Sequence, residues 1–410
     1  MTAVPVVVRD VDAEGPVPAI GGYDPDGART ERALLLVRAW TEPLGYLMLP
    51  VPEAGLPADA VHAAVLDRFG DQIGRRSPGD FARRRAQVLA DAPEVTVVVC
   101  TRDRPGPLAR TLESLLALEY PRDRLRILVV DNASRDDATR EAVREAASRG
   151  PVEYLPEPAP GLSRARNAAL AANPGQSLAW IDDDEVADRY WLAELARALV
   201  ENPGADVVCG AIVPAELRTA AQVWFEEFGG LVKGRGFNPA VFHGPTMTGQ
   251  SPLFPLPPFG AGANMLTRPG VLERIGGFDP ALGAGTATGG GEDTVAFGQI
   301  LRRGGTIVYH PGALVRHFHR SDVDGLRRQL VGYGTGLTAG YVSWIRRDPR
   351  VLAGLVRLAP RALREVLGGS GLRTATLGPD FPADLLRANR RGMLAGPVAY
   401  LRSRREVSRS

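Results

Sequence analysis

The stretch LAWIDDDE, which begins at Leu178, places three aspartates and a glutamate directly after a short apolar run. Like charges this close raise one another's pKa, so the cluster costs free energy unless something offsets the repulsion. Asp182 and Asp184 are separated by one residue, and side chains at that spacing can point to the same side of an extended segment. Hard carboxylate oxygens suit Mg2+ or Mn2+, and a bound divalent ion would remove the repulsion and hold a diphosphate.

Polar groups also follow two other apolar runs in the chain. Thr101 to Asp103 come directly after VTVVVC, and Asp131 comes directly after LRILVV. Because the carboxyl ends of parallel strands meet at one edge of a sheet, three such ends together favour a ligand site. The alternative, a solvated acidic turn, is disfavoured because Trp180 and Ile181 anchor the aspartates to a buried strand.

The segments that carry these polar ends alternate between strand-like and helix-like patterns from Pro93 onward. The β-branched run VTVVVC is typical of a parallel strand buried on both faces, whereas PLARTLESLLAL places leucines on one helical face. Strands alternating with helices predict an α/β fold with a mostly parallel, Rossmann-like sheet flanked by helices.

The regions on either side of this alternation have different patterns. Residues 1–90 predict a small α+β domain, with two strands around a turn at residues 42–45 and a helix behind them. Residues 91–320 are expected to form the central domain, in which the Gly- and Pro-rich residues 214–258 predict a loop or lid with short helices. Residues 321–410 predict a helical, arginine-rich region, which either packs on the central domain or contacts an acidic membrane surface.

Composition limits the classes of protein that fit the chain. The 410 residues are 44% hydrophobic and 23% charged, and the net charge of +2 gives no reason to expect a nucleic-acid partner. Two cysteines, each at the end of a valine run, predict small buried side chains rather than a disulfide framework. The start, MTAVPVVVRDVDAEG, lacks the pattern of a secretory signal, and no apolar run approaches the roughly 18–20 residues that span a bilayer. We therefore expect a cytoplasmic protein, with peripheral contact to the inner face of the membrane if the C-terminal helices provide it.

Eight short motifs occur in one order along the chain: VTVVVCTRDRP, VVDNASRDD, GLSRARNAAL, WIDDDE, GAGANML, GGFDP, GGGED and VRHFH. Each motif alone is weakly specific. The ordered set, between about Pro93 and Arg320, resembles the inverting family 2 glycosyltransferases. The resemblance implies the GT-A fold and transfer of a sugar from a nucleoside-diphosphate donor to a hydroxyl group of a small molecule, a lipid or a glycan intermediate.

The resemblance places the donor nucleotide at the strand ends and beside the helix that contains Arg166, with Arg164 a less certain neighbour. Asp131 resembles the carboxylate that reads the base; because a carboxylate can accept from uracil, thymine or guanine, the base itself stays open. Asp182 resembles the ribose-side member of the D-x-D motif. The donor-binding residues predicted in this way are Thr101, Arg102, Asp103, Asp131, Arg166, Asp182 and Asp183.

The resemblance also implies a site for Mg2+ or Mn2+. Asp184 resembles the direct metal ligand of the D-x-D motif. The family often has a histidine near the metal or the diphosphate at the position of VRHFH, which makes His317 the predicted second ligand. His319 lies two residues further on and can share a face with it.

The glycine-rich GGGED segment supplies a second acid pair. Inverting transfer is an in-line displacement, so a base must take the acceptor's proton on the face opposite the departing nucleoside diphosphate. The resemblance gives this role to Asp293; the alternative is that Asp293 only caps the helix that begins here. Glu292 would orient the acceptor, and Gly262 and Asn264 would line the sugar and acceptor pocket.

Other functions fit the sequence less well. A non-catalytic sugar-nucleotide-binding or scaffold protein of the same fold would be expected to have lost the D-x-D or the E-D pair, and both are intact. A nucleotidyltransferase usually has a glycine-rich basic loop after the first strand, and a nicotinamide oxidoreductase has G-x-G-x-x-G there; CTRDRPGPL fits neither pattern. No Q-x-x-R-W motif follows the E-D pair, which favours a single addition over processive polymer synthesis.

Overall fold

The computed structural model describes residues 5–24, 26–75, 77–231, 235–244, 259–368, 377–378 and 380–409. The predicted loop over 214–258 lies partly outside these ranges. Inside them it contains a strand end, a helix and a further short strand.

The N-terminal region is a three-stranded sheet followed by two helices. The predicted helix and the two predicted strands are present, together with one strand that the sequence does not predict. The turn lies at Trp40 and Thr41, two residues before the predicted position, and both have positive φ angles, 48° and 76°. That backbone matches the twist of a two-residue hairpin. The elements are β1 (Val6–Asp12), β2 (Arg32–Ala39), β3 (Glu42–Pro50), α1 (Ala58–Gly74) and α2 (Pro78–Ala90).

Four parallel strands form one half of the central sheet. Val97 and Val99 point into an apolar core on one face, and Val98 points into a second core on the other face. The strand that contains these valines is buried on both faces, as its β-branched run predicts. The elements are β4 (Val95–Thr101), α3 (Pro105–Leu116), β5 (Leu125–Asn132), α4 (Ala138–Ala147), β6 (Val152–Glu157), α5 (Leu162–Ala172) and β7 (Ser177–Asp182), with a 3-10 turn at Arg122–Arg124.

The other half of the sheet mixes directions. A short strand inserts antiparallel beside β7, and a long final strand shifts register between Tyr309 and Leu314 before ending at His317. The elements are β8 (Glu185–Ala187), α6 (Trp191–Glu201), β9 (Val207–Pro214), α7 (Ala220–Glu227), β10 (Ala240–His243), β11 (Asn264–Thr267), α8 (Val271–Ile275), α9 (Glu292–Arg302) and β12 (Thr306–His317).

Within the described residues the sheet has nine strands, in the order β10-β12-β9-β11-β7-β4-β5-β6, with β8 paired to the end of β12. Helices cover both faces. The predicted fold class, an α/β sheet flanked by helices, is confirmed.

The C-terminal region is helical and packs on the central domain. The indole of Trp344 donates to the carbonyl of Val295, and the hydroxyl of Tyr400 donates to the carboxylate of Asp279. Among the helices that the structure describes, none is long and apolar enough to cross a membrane. The helices are α10 (Val323–Arg347), α11 (Val351–Gly368) and α12 (Ala383–Val407).

A buried charge cluster joins the N-terminal region to α6. The carboxylate of Glu194 accepts from Arg85 at 2.9 Å and from Arg197 at 2.7 Å, and it lies 2.9 Å from His310 Nε2. Burial raises the pKa of Glu194, but the hydrogen bond and charge of His310 and the two arginines outweigh it and hold the pKa below its usual range.

The boundaries at residues 90 and 320 remain predictions.

Candidate active site

The three polar strand ends meet at one edge of the sheet. The register pairs Thr101 of β4 with Asp131 of β5, and Cys100 of β4 with Asp182 of β7. All three strands run parallel, so their carboxyl ends point the same way and deliver these side chains side by side.

Arg104 binds two of the three clustered aspartates. Its guanidinium contacts Asp183 through Nη1 and donates from Nη2 to Asp184 Oδ2 at 2.9 Å. Thr101 Oγ1 donates to the other oxygen of Asp183 at 2.6 Å. Arg104 was not among the predicted site residues; its position as the third residue of the R-D-R that follows β4 is the only sequence signal that could have identified it.

Neighbouring acids of this cluster respond differently to burial. Burial raises the pKa of Asp184, but the hydrogen bond and charge of His317, with Arg104 and Arg320, outweigh it and bring the pKa below its usual range. Burial raises the pKa of Asp183 to about 7, against the opposing charge of Arg104. Glu185 is fully buried, and burial followed by the charges of the nearby aspartates raises its pKa well above the ordinary value.

The second acid pair lies at the start of α9, opposite the aspartates. Arg166 links the two groups: Nη1 donates to Glu292 Oε1 at 3.1 Å, and Nη2 lies 3.5 Å from Asp182 Oδ1. Burial and then the charge of Asp293 raise the pKa of Glu292 to about 7, although Arg166 lowers it. Arg166 is 3% exposed, so it is held as a fixed bridge inside the site.

The carboxylate of Asp293 is held by backbone donors. Its Oδ2 accepts the N–H of Gly262 at 2.9 Å, and its Oδ1 accepts the N–H of Thr294 at 2.6 Å. The cap residue of α9 is Gly291, with a φ of 91°, so Asp293 lies within the first turn and is not the cap. The capping alternative for Asp293 therefore does not account for its position.

Gly262 supports both sides of the site. Its carbonyl accepts from Arg166 at 3.2 Å while its N–H donates to Asp293. A Cβ atom at this residue would lie 2.7 Å from Arg166 Nη1 and 2.7 Å from Asp293 Cβ, which leaves space for glycine only.

Two adjoining cavities open at this edge of the sheet. The larger, about 670 Å³, is rich in arginine, and the smaller, about 190 Å³, contains the acid pair. Asp182 lines both. The predicted residues that line the larger cavity are Thr101, Arg102, Asp182, Asp183, Asp184 and His317, and those that line the smaller are Arg166, Asp182, Glu292 and Asp293.

Four predicted residues line neither of these two cavities. Asp131 accepts from Ser134 and from the hydroxyl of Tyr154, and Asp103 accepts the N–H of Arg135. Gly262 acts through its backbone, as described above. The prediction that Asn264 lines the sugar and acceptor pocket is corrected by the structure: this residue is fully buried on β11.

The amide of Asn264 forms hydrogen bonds within the sheet and does not face the pocket. Its nitrogen donates to the carbonyls of Ala211 and Ala313, each at 2.9 Å, and its oxygen accepts from the indole of Trp191 at 2.8 Å. These three bonds cross-link β9, β11, β12 and α6 beneath the site. Replacing the amide would leave buried backbone carbonyls without donors.

A divalent ion at this site would have few protein ligands, because Asp184 and His317 are the candidates. In the part of the chain that the structure describes, no group of three or more His, Cys, Asp or Glu side chains could hold a metal ion. Asp184 Oδ1 and His317 Nε2 lie 3.5 Å apart beside the larger cavity. Mg2+ is commonly bound by one or two protein carboxylates together with substrate phosphates and water, so this oxygen and nitrogen pair is compatible with an ion that a diphosphate completes.

Residues 96–276 match the family model described as glycosyl transferase family 2. The chain carries a family 2 glycosyl transferase domain. The predicted family is thereby confirmed, and the names of several relatives support the predicted enzyme class, a glycosyltransferase.

The relatives of this family 2 domain are distant. The chain is 33% identical over 228 residues to the succinoglycan biosynthesis protein ExoM of Rhizobium meliloti, a match covering 54% of this chain and 65% of that protein. It is 28% identical to the glucosyl-dolichyl phosphate glucuronosyltransferase of Haloferax volcanii, over 46% of this chain and 57% of that protein. The chain thus spans less than two thirds of the length of these curated relatives.

Among solved structures, the chain is similar to the mannosyltransferase PcManGT from Pyrobaculum calidifontis in complex with GDP-Man and Mn2+. The identity is 20%, the match covers 84% of each chain, and the TM-score is 0.46.

Proposed function

We propose that this protein is a metal-dependent inverting glycosyltransferase that moves a sugar from a nucleoside-diphosphate donor to a hydroxyl acceptor. One observation carries the proposal: the aspartate cluster and the Glu292–Asp293 pair lie on two adjoining cavities and share one buried arginine, Arg166. A donor in the larger cavity would then present its sugar to the smaller one.

In the proposed donor site, the nucleoside lies against Thr101, Arg102 and Asp103, with Asp131 as the base-reading carboxylate and Asp182 beside the ribose. Asp183 keeps Arg104 in place through their contact. Arg104 and Arg320 direct positive charge toward the cavity, which suits a diphosphate. A Mg2+ or Mn2+ ion held by Asp184 and His317 would supply further charge to stabilise the departing diphosphate.

In the proposed transfer step, Asp293 accepts the proton of the acceptor hydroxyl. The acceptor oxygen forms a bond to the anomeric carbon while the bond from that carbon to the diphosphate oxygen breaks, and the electron pair leaves with the nucleoside diphosphate. The two backbone N–H groups at Asp293 fix the carboxylate in one orientation. Glu292, bound to Arg166, borders the acceptor.

The first experiment is a thermal-shift panel of UDP, GDP, dTDP and ADP, each with Mn2+, with Mg2+ and with a chelator. A ligand at 100 times its dissociation constant that binds only the folded state stabilises it by about 2.7 kcal/mol. We expect one nucleotide to stabilise the protein only when the metal is present. If no nucleotide stabilises it under any of these conditions, the proposed donor site is wrong.

The matched variants are Asp184→Asn and Asp293→Asn. The first should lose the metal-dependent part of the shift, since it removes one of the two protein ligands. The second should keep the shift and lose about 10²–10⁴-fold in transfer rate, the usual contribution of a general base. Near-wild-type turnover of Asp293→Asn would contradict its assignment as the base.

We also propose that α12 contacts an acidic membrane surface. Leu394, Val398 and Leu401 are exposed by 83%, 71% and 53%, and the exposed Arg391 and Arg402 border them on the same helix. Apolar side chains bordered by arginine suit anionic lipid headgroups. Leu394→Ser with Val398→Ser should abolish co-sedimentation with phosphatidylglycerol vesicles. Equal recovery of the wild type with and without vesicles would contradict the proposal.

A further inference from the structure

A chain of four polar side chains runs from the aspartate cluster to α7. Asp184 Oδ1 lies 3.5 Å from His317 Nε2, His317 Nδ1 lies 2.7 Å from His319 Nδ1, and His319 Nε2 lies 2.7 Å from Glu226 Oε1. Both histidines are buried, and the edge of the Phe225 ring packs on His319 with ring centroids 4.6 Å apart. Glu226 lines neither cavity and contacts the chain through His319.

The hydrogen-bonding capacity of each atom determines where the protons of this chain lie. A carboxylate only accepts, so Glu226 requires an N–H at His319 Nε2. An imidazole whose single N–H is on Nε2 has a lone pair on Nδ1, so His319 Nδ1 is then an acceptor. The 2.7 Å contact between the two Nδ1 atoms therefore requires His317 to donate from its Nδ1.

This arrangement leaves His317 Nε2 as the atom that faces Asp184. Because its other nitrogen is committed to His319, Nε2 can hold either a proton directed at Asp184 or a metal ion. Without Glu226, His319 could carry its proton on Nδ1. His319 Nδ1 would then no longer accept a hydrogen bond, and nothing would hold the proton of His317 on Nδ1.

The position of Glu226 is itself fixed by the packing of α7. The side chain of Gln222 donates to the carbonyl of His319 at 3.4 Å, which ties the helix to the histidine segment. Gln222 also forms the capping box of α7 with Thr219. A Cβ at Gly230 would lie 2.5 Å from Glu226 Oε1, so the chain closes tightly around this carboxylate.

We propose that Glu226 and His319 are positioning residues that hold the proton of His317 on Nδ1, so that Nε2, together with Asp184, takes a divalent cation. This inference rests on the proposed function, because it concerns the same metal site. Residues that orient metal-ligating histidines typically change metal affinity by 10–100-fold when they are mutated.

The test measures Mn2+ binding by electron paramagnetic resonance in the presence of the nucleoside diphosphate that stabilises the protein in the thermal-shift panel. Glu226→Leu removes the acceptor and should weaken Mn2+ binding about 10–100-fold. Glu226→Gln retains an acceptor oxygen and should recover part of that affinity. Glu227→Leu, at the adjacent acid whose carboxylate lies near Gly378, is the control and should bind like the wild type.

A second readout needs neither metal nor activity. Nitrogen-15 NMR of the histidine side chains should find Nδ1 of wild-type His317 protonated, and a mixture of protonated and unprotonated Nδ1 in Glu226→Leu. A wild-type His317 protonated only on Nε2 would overturn the inference even if the variant failed to fold.

The two proposals fail in different ways. If the wild type binds Mn2+ but Glu226→Leu binds it equally well, the positioning role is wrong and the proposed function stands. If the wild type itself does not bind Mn2+ with any nucleotide, the proposed metal site is wrong, and the positioning role is overturned with it.

Discussion

Two buried clusters of arginine and acid in this protein differ in their balance of charge. At α6, Glu194 is bound by both Arg85 and Arg197 and lies beside His310. Between α5 and α9, Arg166 alone bridges Asp182 and Glu292. Cations surround the acid in the first cluster, whereas acids surround the cation in the second.

The pKa values follow this difference. The partners of Glu194 hold its pKa below the usual range, whereas burial and the neighbouring acid raise the pKa of Glu292 to about 7. Only the acid-rich cluster lines one of the two cavities described above. We infer that the balanced α6 cluster stabilises the fold. The acid-rich Arg166 cluster, which lies at a cavity, can still bind a proton or a cation from a ligand.

The largest effect is expected from Arg197→Met in the balanced cluster. Removing one member of a buried ion pair typically costs about 3–5 kcal/mol. Arg197 contacts Glu42 and Glu201 as well as Glu194, so its loss leaves the cluster one cation short. Urea unfolding measures the loss, and transfer per folded molecule should not change. Arg83→Met, at a solvent-exposed pair with Asp80, is the control and should cost about 0–1 kcal/mol. Similar losses for both variants would contradict a structural role for the α6 cluster.

A smaller loss of stability is expected from Arg166→Met. Glu292 can respond by binding a proton, because its pKa is already raised, so the unpaired negative charge is avoided at neutral pH. We expect a loss of roughly 1–3 kcal/mol at pH 7, greater at pH 8 than at pH 6. Transfer should be lost as well. A loss as large as that of Arg197→Met, and independent of pH, would show that the two clusters do not differ.

The smallest change in stability is expected from Glu292→Gln, and this change is a gain relative to the wild type as pH rises. The folded-state pKa of Glu292 lies above its ordinary value of 4.5, so the wild type loses stability as pH rises from there through about 7. The glutamine does not titrate. The variant should therefore gain roughly 1–2 kcal/mol relative to the wild type between pH 5 and pH 8.

Melting temperatures across this pH range measure the difference in stability between Glu292→Gln and the wild type. Glu194→Gln is expected to change stability in the opposite direction. The folded-state pKa of Glu194 is depressed, so its contribution is present at neutral pH and is lost only as pH falls through that low value. Glu194→Gln should be less stable than the wild type at pH 7. Parallel melting curves for Glu292→Gln and the wild type would contradict the raised pKa.

The convergence of three strand ends could be predicted because its signals are local. Each strand is a continuous apolar run, each run stops at polar residues, and parallel strands place those stops together. Thr101, Asp131 and Asp182 lie at this edge for that reason. The α/β class follows from the same alternation.

Other features depend on partners far away in the chain. Glu226 contacts a histidine 93 residues later, and no local pattern marks it. Strand β11 has four residues and inserts antiparallel between β7 and β9, so its neighbours determine it more than its own sequence does. Asn264 resembles a pocket residue in sequence, but the backbone carbonyls that need its amide belong to β9 and β12.

The carboxylate of Asp279 bonds to two of the C-terminal helices, α10 and α12. The family match stops at residue 276, yet Asp279, three residues later and buried, accepts from Ser343 at 2.6 Å and from Tyr400 at 2.8 Å. The buried contacts of the C-terminal helices therefore include residues beyond the segment that the family model matches. Recombination that exchanged residues 96–276 alone would keep Asp279 with both of its partners, but it would replace Ile275, whose carbonyl accepts from Arg347 of α10 at 3.1 Å.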